Sequence, residues 1–278
     1  LLNHHDFKIG KYGIERKFEN QLQGQPSYQY FEVDAKGQKI RDLKKLEGQT
    51  GKDLVLSIDA DLQYQAEKLF ASRGGAAIVS DLKTGEVLCA YSGPGLDINL
   101  LSAGNQEYWA TINQDASVPL INRLSRGLYS PGSAFKLVTA MAALEAGIDP
   151  ERHRACHGSV RLGDTDFQCH ARLGHGAVNL VQALTVSCNV YFWEVAKQIG
   201  YERIRKIAHA FGFGNPVGWF DDEKSGLVPT NEWKIKHHQH SWGTGDTFNT
   251  CIGQGYLLAT PLQMWRMVSI IAGRGKAM

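Results

Sequence analysis

The residues whose types and spacing can do chemistry lie between positions 130 and 190. Ser133-Ala134-Phe135-Lys136 puts a hydroxyl and an amine at i and i+3, which share one face of a helix. A serine needs a base before it attacks a carbonyl, and a partly buried lysine with a depressed pKa supplies one. The positions Ala134, Leu137, Val138, Met141 and Leu144 recur at helical spacing, so a helix is predicted over Ser133–Ala146, stopped by Gly147 and Pro150. Its N-terminus adds positive potential at Ser133. Taken alone, these four residues also fit a capping serine followed by a solvated lysine.

Ser187-Cys188-Asn189 interrupts two further helix patterns, Leu180–Val186 and Val190–Ile199. Polar side chains at such a junction can face a cleft. The Ser187 hydroxyl can pass a proton to a leaving amine, and the Asn189 amide can hold a substrate backbone. The competing reading is a capping serine beside a surface asparagine.

Cys156, Cys169, His175 and Cys188 follow the spacing C-x12-C-x5-H-x12-C. Three thiolates and one imidazole are a structural zinc set, and four protein ligands leave no open position for catalysis. The stretch 158–176 is short of large apolar residues and needs a staple. Because Cys188 is the middle residue of Ser187-Cys188-Asn189, a metal there would also fix that motif. His157 and His170 are possible substitute ligands. A disulfide between two of the cysteines and unbound buried thiols are the alternatives. The five cysteines are an odd number, so complete pairing is excluded. Cys89 and Cys251 read as small core residues, and His237, His238 and His240 as a solvated loop.

The elements that must position these groups follow from pattern and punctuation. Residues 1–50 are polar and turn-rich: a helix-like stretch over 10–22, then a strand at 28–33, a turn at Gly37 and a second short strand. They read as the tail of one domain, with 51–278 a second. Strands are predicted at Asp53–Ile58, Ala76–Ser80 and Glu86–Ser92, with a helix from an Asp59 cap to Phe70 and a hairpin turn at 81–85. Residues 93–130 and 213–256 read as irregular, and helices are predicted at Arg203–Phe211 and Leu262–Ile271. Strands early and helices in the middle suggest an α+β class, a sheet backed by a helical subdomain.

Composition narrows the function classes. With 43% hydrophobic and 21% charged residues the chain is globular rather than disordered. A net charge of +2 excludes nucleic-acid binding by bulk charge. No apolar run reaches the roughly 20 residues of a spanning helix, since Leu257–Ala272 is broken by Pro261, Gln263 and Arg266. The chain begins with Leu and shows no leader peptide, so it is expected to be a piece of something longer, with any membrane anchor upstream.

Four separated segments carry a resemblance. Gly127-Leu128-Tyr129-Ser130-Pro131-Gly132-Ser133-Ala134-Phe135-Lys136 resembles the nucleophile segment of the class B penicillin-binding proteins, in their elongation-specific branch. Gly245-Asp246-Thr247, and Ile252-Gly253-Gln254-Gly255-Tyr256 with Ala259-Thr260-Pro261-Leu262-Gln263, resemble downstream segments of that family, and 10–24 the end of its pedestal domain. Ser187-Cys188-Asn189 fits the family's Ser-x-Asn element.

The resemblance implies a penicillin-binding transpeptidase fold on a remnant of the pedestal (dimerisation) domain. It implies a peptidoglycan D,D-transpeptidase with catalytic Ser133, Lys136, Ser187 and Asn189, working on D-Ala-D-Ala stem peptides and acylated by β-lactam antibiotics. It also implies a zinc near the active site, elongation-machinery membrane proteins as partners, and a place at the periplasmic face of the bacterial inner membrane. The family's third motif, Lys-Thr/Ser-Gly on an oxyanion strand, is not expected at Lys83-Thr84-Gly85, a hairpin turn, nor at Lys224-Ser225-Gly226, a loop led by Asp221, Asp222 and Glu223. It is expected beyond Met278, so the C-terminal strands would be lacking and this piece alone weak or inactive. Two other functions compete: a D,D-carboxypeptidase or β-lactamase-like serine hydrolase, and a non-catalytic zinc-stapled scaffold of the elongation machinery.

Overall fold

The computed structural model describes residues 9–71 and 73–276. The start of the 1–50 segment, at 1–8, and Met278 lie outside the described residues. The chain divides into two units, one running to Ser57 and including Trp219–Asp221, the other holding the rest.

In the first unit, α1 (Gly13–Lys17) and α2 (Glu19–Leu22) precede an antiparallel hairpin of β1 (Tyr28–Val33) and β2 (Lys39–Leu46). Its two ends are zipped by reciprocal Gln25–Gln49 backbone bonds of 2.7 and 2.9 Å. Glycine is required there, since a Cβ on Gly51 would stand 1.8 Å from the Leu22 carbonyl. The strand expected over Asp53–Ile58 does not form. Alternation predicts a strand only where a neighbour completes the ladder, and Val55 is 93% exposed.

The second unit opens with α3 (Ala60–Phe70), whose first turn is capped by the Asp59 carboxylate accepting from Leu62 N–H. The β3 (Gly75–Ser80) and β4 (Val87–Gly93) strands pair antiparallel, and the Asp81 side chain holds their turn by accepting from Lys83 and Thr84 N–H. Ala66 of α3 packs with Cys89 and Tyr91 of β4. Residues 93–130, expected to be irregular, contain α4 (Ile98–Ser102), α5 (Gln106–Gln114) and α6 (Arg123–Arg126). Each is started by a side-chain cap, from Asp97, Asn105 and Asn122. Caps rather than apolar periodicity nucleate these short helices, which is why the pattern misses them.

The Ser133 segment is a 3-10 turn, Gly132–Phe135, continuing into α7 (Lys136–Glu145). Four short strands follow as two antiparallel pairs, β5 (Arg154–Cys156) with β8 (Gly176–Val178) and β6 (Ser159–Leu162) with β7 (Thr165–Gln168). Then come α8 (Leu180–Thr185), α9 (Asn189–Ile199) and α10 (Tyr201–Ala210). The expected loop over 213–256 instead carries α11 (Asn231–His238) and α12 (Thr244–Cys251), and α13 (Pro261–Ala272) follows. Polar composition concealed α11, which the Thr230 hydroxyl caps and which buries none of its residues. The main core joins α7, α9, α10 and α12 through residues such as Phe135, Phe192, Ile204, Phe213 and Phe248. Trp265 Nε1 donates to Ser80 Oγ at 3.0 Å and ties α13 to the β3–β4 hairpin. The α+β class is as expected. No helix among the described residues is long and apolar enough to cross a membrane.

Candidate active site

Ser133 sits in the 3-10 turn, exposed, while Lys136 one step into α7 is 1% exposed. The turn is built by Gly132, left-handed at φ 59°, and is held from outside by Gly132 N–H donating to Gly253 O at 2.8 Å. The segment leading in is fixed by reciprocal 2.9 Å bonds between Tyr129 and Ala259. The downstream segment 252–263 is thus the wall against which the Ser133 turn is set.

Ser187 arrives from the other side. Cys188 N–H donates to Ala183 O at 2.8 Å and Ser187 N–H to Leu184 O at 3.1 Å, the bonding of a Schellman helix end. The left-handed position of that motif ordinarily belongs to glycine, yet Ser187 holds it at φ 53°. The Ser187 hydroxyl donates to Ser133 Oγ at 2.9 Å.

Lys136 is bonded to the Ser-x-Asn motif at three points. Its Nζ donates to Ser187 O at 2.6 Å, Ser187 Oγ at 2.9 Å and Asn189 Oδ1 at 2.7 Å. The four expected residues are therefore in one cluster, and the hydrogen-bonded path from Lys136 to Ser133 runs through Ser187. A direct reach along one helix face was the expectation. The 3-10 turn and the depth of Lys136 turn its amine toward the α8–α9 junction. Burial lowers the Lys136 pKa, against the opposing field of Cys169, Cys188 and Cys251.

Cys156, Cys169, His175 and Cys188 also converge, with their ligand atoms all within 4.8 Å of one another. His175 Nδ1 lies 3.5 Å from Cys156 Sγ and 3.7 Å from Cys169 Sγ. Crossing glycines make this possible: a Cβ on Gly174 would meet the Cys156 carbonyl at 2.1 Å, and one on Gly158 the Arg172 carbonyl at 2.0 Å. The sulfurs sit at the start of α9, where Asn189 N–H donates to Cys169 Sγ and Tyr191 N–H to Cys188 Sγ, both at 3.4 Å. Burial opposes ionisation of Cys169, but the N–H groups of Asn189, Ala171 and Val190 outweigh it and lower its pKa. Burial pushes the Cys188 thiol up to about 12. Burial, with His170 and Lys136, lowers the pKa of His175 and keeps its ring neutral. His170 and His157 are outside the four-atom group. All five cysteines are free thiols, and Cys89 and Cys251 are buried.

The other candidates fall elsewhere. Lys83-Thr84-Gly85 is the β3–β4 turn. Lys224 and Ser225 are exposed in a loop whose backbone bonds to Ser125 and to Gln263 Nε2. His237 and His238 lie on α11, not in a loop, with their rings against Trp233.

A serine at a helix entrance, a buried lysine and a Ser-x-Asn junction are thus joined by hydrogen bonds, and the chain belongs to the penicillin-binding protein transpeptidase family. The penicillin binding protein transpeptidase domain profile matches residues 75–278, and the penicillin-binding protein dimerisation domain profile residues 3–56. Among individual relatives, the chain is 38% identical over 278 residues to peptidoglycan D,D-transpeptidase MrdA of Escherichia coli K12, covering 96% of this chain and 43% of that protein. It is 37% identical over 272 residues to the MrdA of Acinetobacter baumannii, covering 96% and 40%. Among solved structures it is similar to the complex between penicillin-binding protein PBP2 and MreC from Helicobacter pylori, with TM-score 0.85, 35% identity and coverage of 95% of this chain and 50% of that one. It is also similar to Pseudomonas aeruginosa PBP2 in complex with WCK 5153, with TM-score 0.81, 35% identity and coverage of 96% and 57%. The chain spans about two-fifths of the length of the curated relatives.

Proposed function

We propose that this chain carries the acylation machinery of a peptidoglycan D,D-transpeptidase acting in cell elongation. Ser133 Oγ attacks the carbonyl between the two terminal D-alanines of a stem peptide. With Lys136 as the free amine, its lone pair toward Ser187 Oγ, the Ser133 proton moves to Ser187 Oγ as the Ser187 proton moves to Nζ, reversing the direction of the two bonds, and a proton returns by the same path to the departing D-alanine amine. The Asn189 amide holds the donor backbone. An amine of a neighbouring stem then attacks the Ser133 ester and forms the cross-link. A β-lactam acylates the same hydroxyl. The observation that carries this reading is the Ser187 hydroxyl 2.9 Å from both Lys136 Nζ and Ser133 Oγ, in a chain of this family. The test is labelling by a fluorescent penicillin. Ser133 is expected to be the labelled residue and Ser133→Ala to abolish labelling; label that survives the change overturns the proposal.

The Cys156, Cys169, His175 and Cys188 group fits a zinc ion. Zinc bonds of about 2.3 Å to sulfur and 2.0–2.1 Å to nitrogen give a tetrahedral S···N edge of about 3.6 Å; His175 Nδ1 lies 3.5 Å from Cys156 Sγ and 3.7 Å from Cys169 Sγ, and all four ligand atoms lie within 4.8 Å of one another. Three buried thiols around a neutral imidazole are also a donor set that a cation makes favourable. Zinc bound there would neutralise the thiolates and fix the start of α9, with no step of the reaction passing through it.

Residues 1–50 are read as the end of the pedestal domain and 51–278 as transpeptidase; the dimerisation-domain match at 3–56 and the unit boundary after Ser57 support this. A relative solved with MreC supports elongation-machinery membrane proteins as partners, and a cell-wall substrate supports the periplasmic face of the inner membrane.

A further inference from the structure

The loop between α12 and α13 carries a side chain that the mechanism above leaves unused. Gly253 and Gly255, left-handed at φ 75° and 70°, fold Gly253-Gln254-Gly255 back against the nucleophile turn. A Cβ on Gly253 would stand 2.0 Å from Gly132 O, so the contact is backbone on backbone. The loop is also held from behind. Gly253 N–H donates to Thr250 O and Gln254 N–H to Asn249 O, both at 2.9 Å. The Tyr256 ring packs against Trp233 and His238 of α11, and the half-buried Lys234–Asp246 ion pair ties α11 to α12.

On this frame Gln254 is exposed. Its side-chain nitrogen lies 3.7 Å from the point where a Cβ on Gly132 would stand. Gly132 immediately precedes Ser133, and consecutive Cα atoms are about 3.8 Å apart, so the carboxamide lies against the residue next to Ser133. It takes no hydrogen-bond partner among the described residues. A carboxamide offers an acceptor and two donors in one plane, the complement of the N–H and C=O of a peptide group. Asn189 presents a second carboxamide from a different element, the α8–α9 junction; its oxygen accepts from Lys136, which leaves its NH2 to donate to a peptide carbonyl.

We infer that Gln254 is a substrate-contacting residue that pairs with a backbone amide of a stem peptide beside Ser133. This rests on the acyl-transfer reading of Ser133. Either the donor stem or the amine-bearing acceptor stem supplies that chemistry, and the two separate kinetically.

The experiment uses the intact protein with Gln254→Ala and Gln254→Met, the second keeping the length of the side chain without its amide. Three quantities are measured: acylation by a β-lactam that lacks an acylamino side chain, consumption of a peptidyl-D-alanyl thioester, and partition of the acyl-enzyme between water and a stem-peptide amine. In both variants a five- to tenfold fall in kcat/KM for the thioester assigns Gln254 to the donor. An unchanged thioester rate with a five- to tenfold fall in the aminolysis-to-hydrolysis ratio assigns it to the acceptor. In either case acylation by the small β-lactam stays within twofold of wild type. All three quantities falling in parallel, or none changing, overturns the inference. A wild-type protein that no β-lactam acylates overturns the acyl-transfer reading instead.

Discussion

The Ser187 hydroxyl donates to Ser133 Oγ at 2.9 Å while accepting from Lys136 Nζ at the same distance. The second motif is therefore not a bystander that greets the substrate. In the proposed acylation it stands in the proton path between Ser133 and Lys136, on a backbone held at φ 53°.

That backbone separates chemistry from stability. Ser187→Gly relieves a left-handed conformation that costs a non-glycine residue about 1–2 kcal/mol, and removes the relay hydroxyl. The expected outcome is a melting temperature equal to or above wild type with penicillin acylation slowed by about 10²-fold or more, the contribution of a positioned acid–base group. Stopped-flow acylation and thermal melts on the same sample check it. A variant that acylates at the wild-type rate would show that Lys136 reaches Ser133 without the relay.

The burial of Lys136 sets the pH dependence. Desolvation penalises the ammonium, and the fields of Cys169, Cys188 and Cys251 only partly offset it, so the pKa lies below that of a free lysine. The free amine is the competent base. Acylation is therefore expected to rise with pH, on a limb whose midpoint falls below the ordinary lysine value of about 10.4. Lys136→Arg, with a group that keeps its proton throughout, is expected to flatten that limb and slow acylation at every pH. A pH–rate profile with an unshifted lysine midpoint contradicts the role given to burial.

Much of this site was legible in the sequence because it is local. Ser133 with Lys136, the hairpin turn at 81–85 and the Asp59 cap are short-range patterns, and each lies where its pattern indicates. The Cys156, Cys169, His175 and Cys188 group was legible from ligand types, although His175 rather than His170 joins it only through the glycine crossings at 158 and 174. What depends on tertiary placement was not legible. Nothing near Lys136 in the chain indicates that its amine bonds the α8–α9 junction, 51–53 residues away. Nor does the polar stretch 231–251 announce two helices, since a cap and ring contacts specify α11 where an apolar face does not.

The thiol group and the catalytic motif share a helix start. Asn189 N–H donates to Cys169 Sγ, and Asn189 Oδ1 accepts from Lys136. About one zinc per chain is expected by elemental analysis. Chelation is expected to lower the melting temperature by roughly 5–10 °C, as a loss of about 2–3 kcal/mol does in a domain of this size, and to slow acylation as well. Cys188→Ser should reproduce both effects. Unchanged melting after chelation of a metal-loaded sample rejects a structural ion.

Gly253 tests whether the downstream wall, rather than the nucleophile turn alone, sets Ser133. Two left-handed glycines can be compared. At Gly85, φ 79° in the β3–β4 turn, an added Cβ meets nothing within 4 Å, whereas at Gly253, φ 75°, it would stand 2.0 Å from Gly132 O. Gly85→Ala carries only the backbone cost, about 1 kcal/mol, and is expected to leave acylation unchanged. Gly253→Ala carries the same cost and must also push Gly132 away, breaking the bond from Gly132 N–H to Gly253 O. Its expected loss of stability is about 2–4 kcal/mol, since strain and a clash add. Acylation is expected to fall at least tenfold even below the melting transition, because a nucleophile displaced by as little as 1 Å loses about 10²-fold in rate. Equal acylation rates in the two variants, measured on folded protein, would show that the α7 turn holds Ser133 without help from the α12–α13 loop.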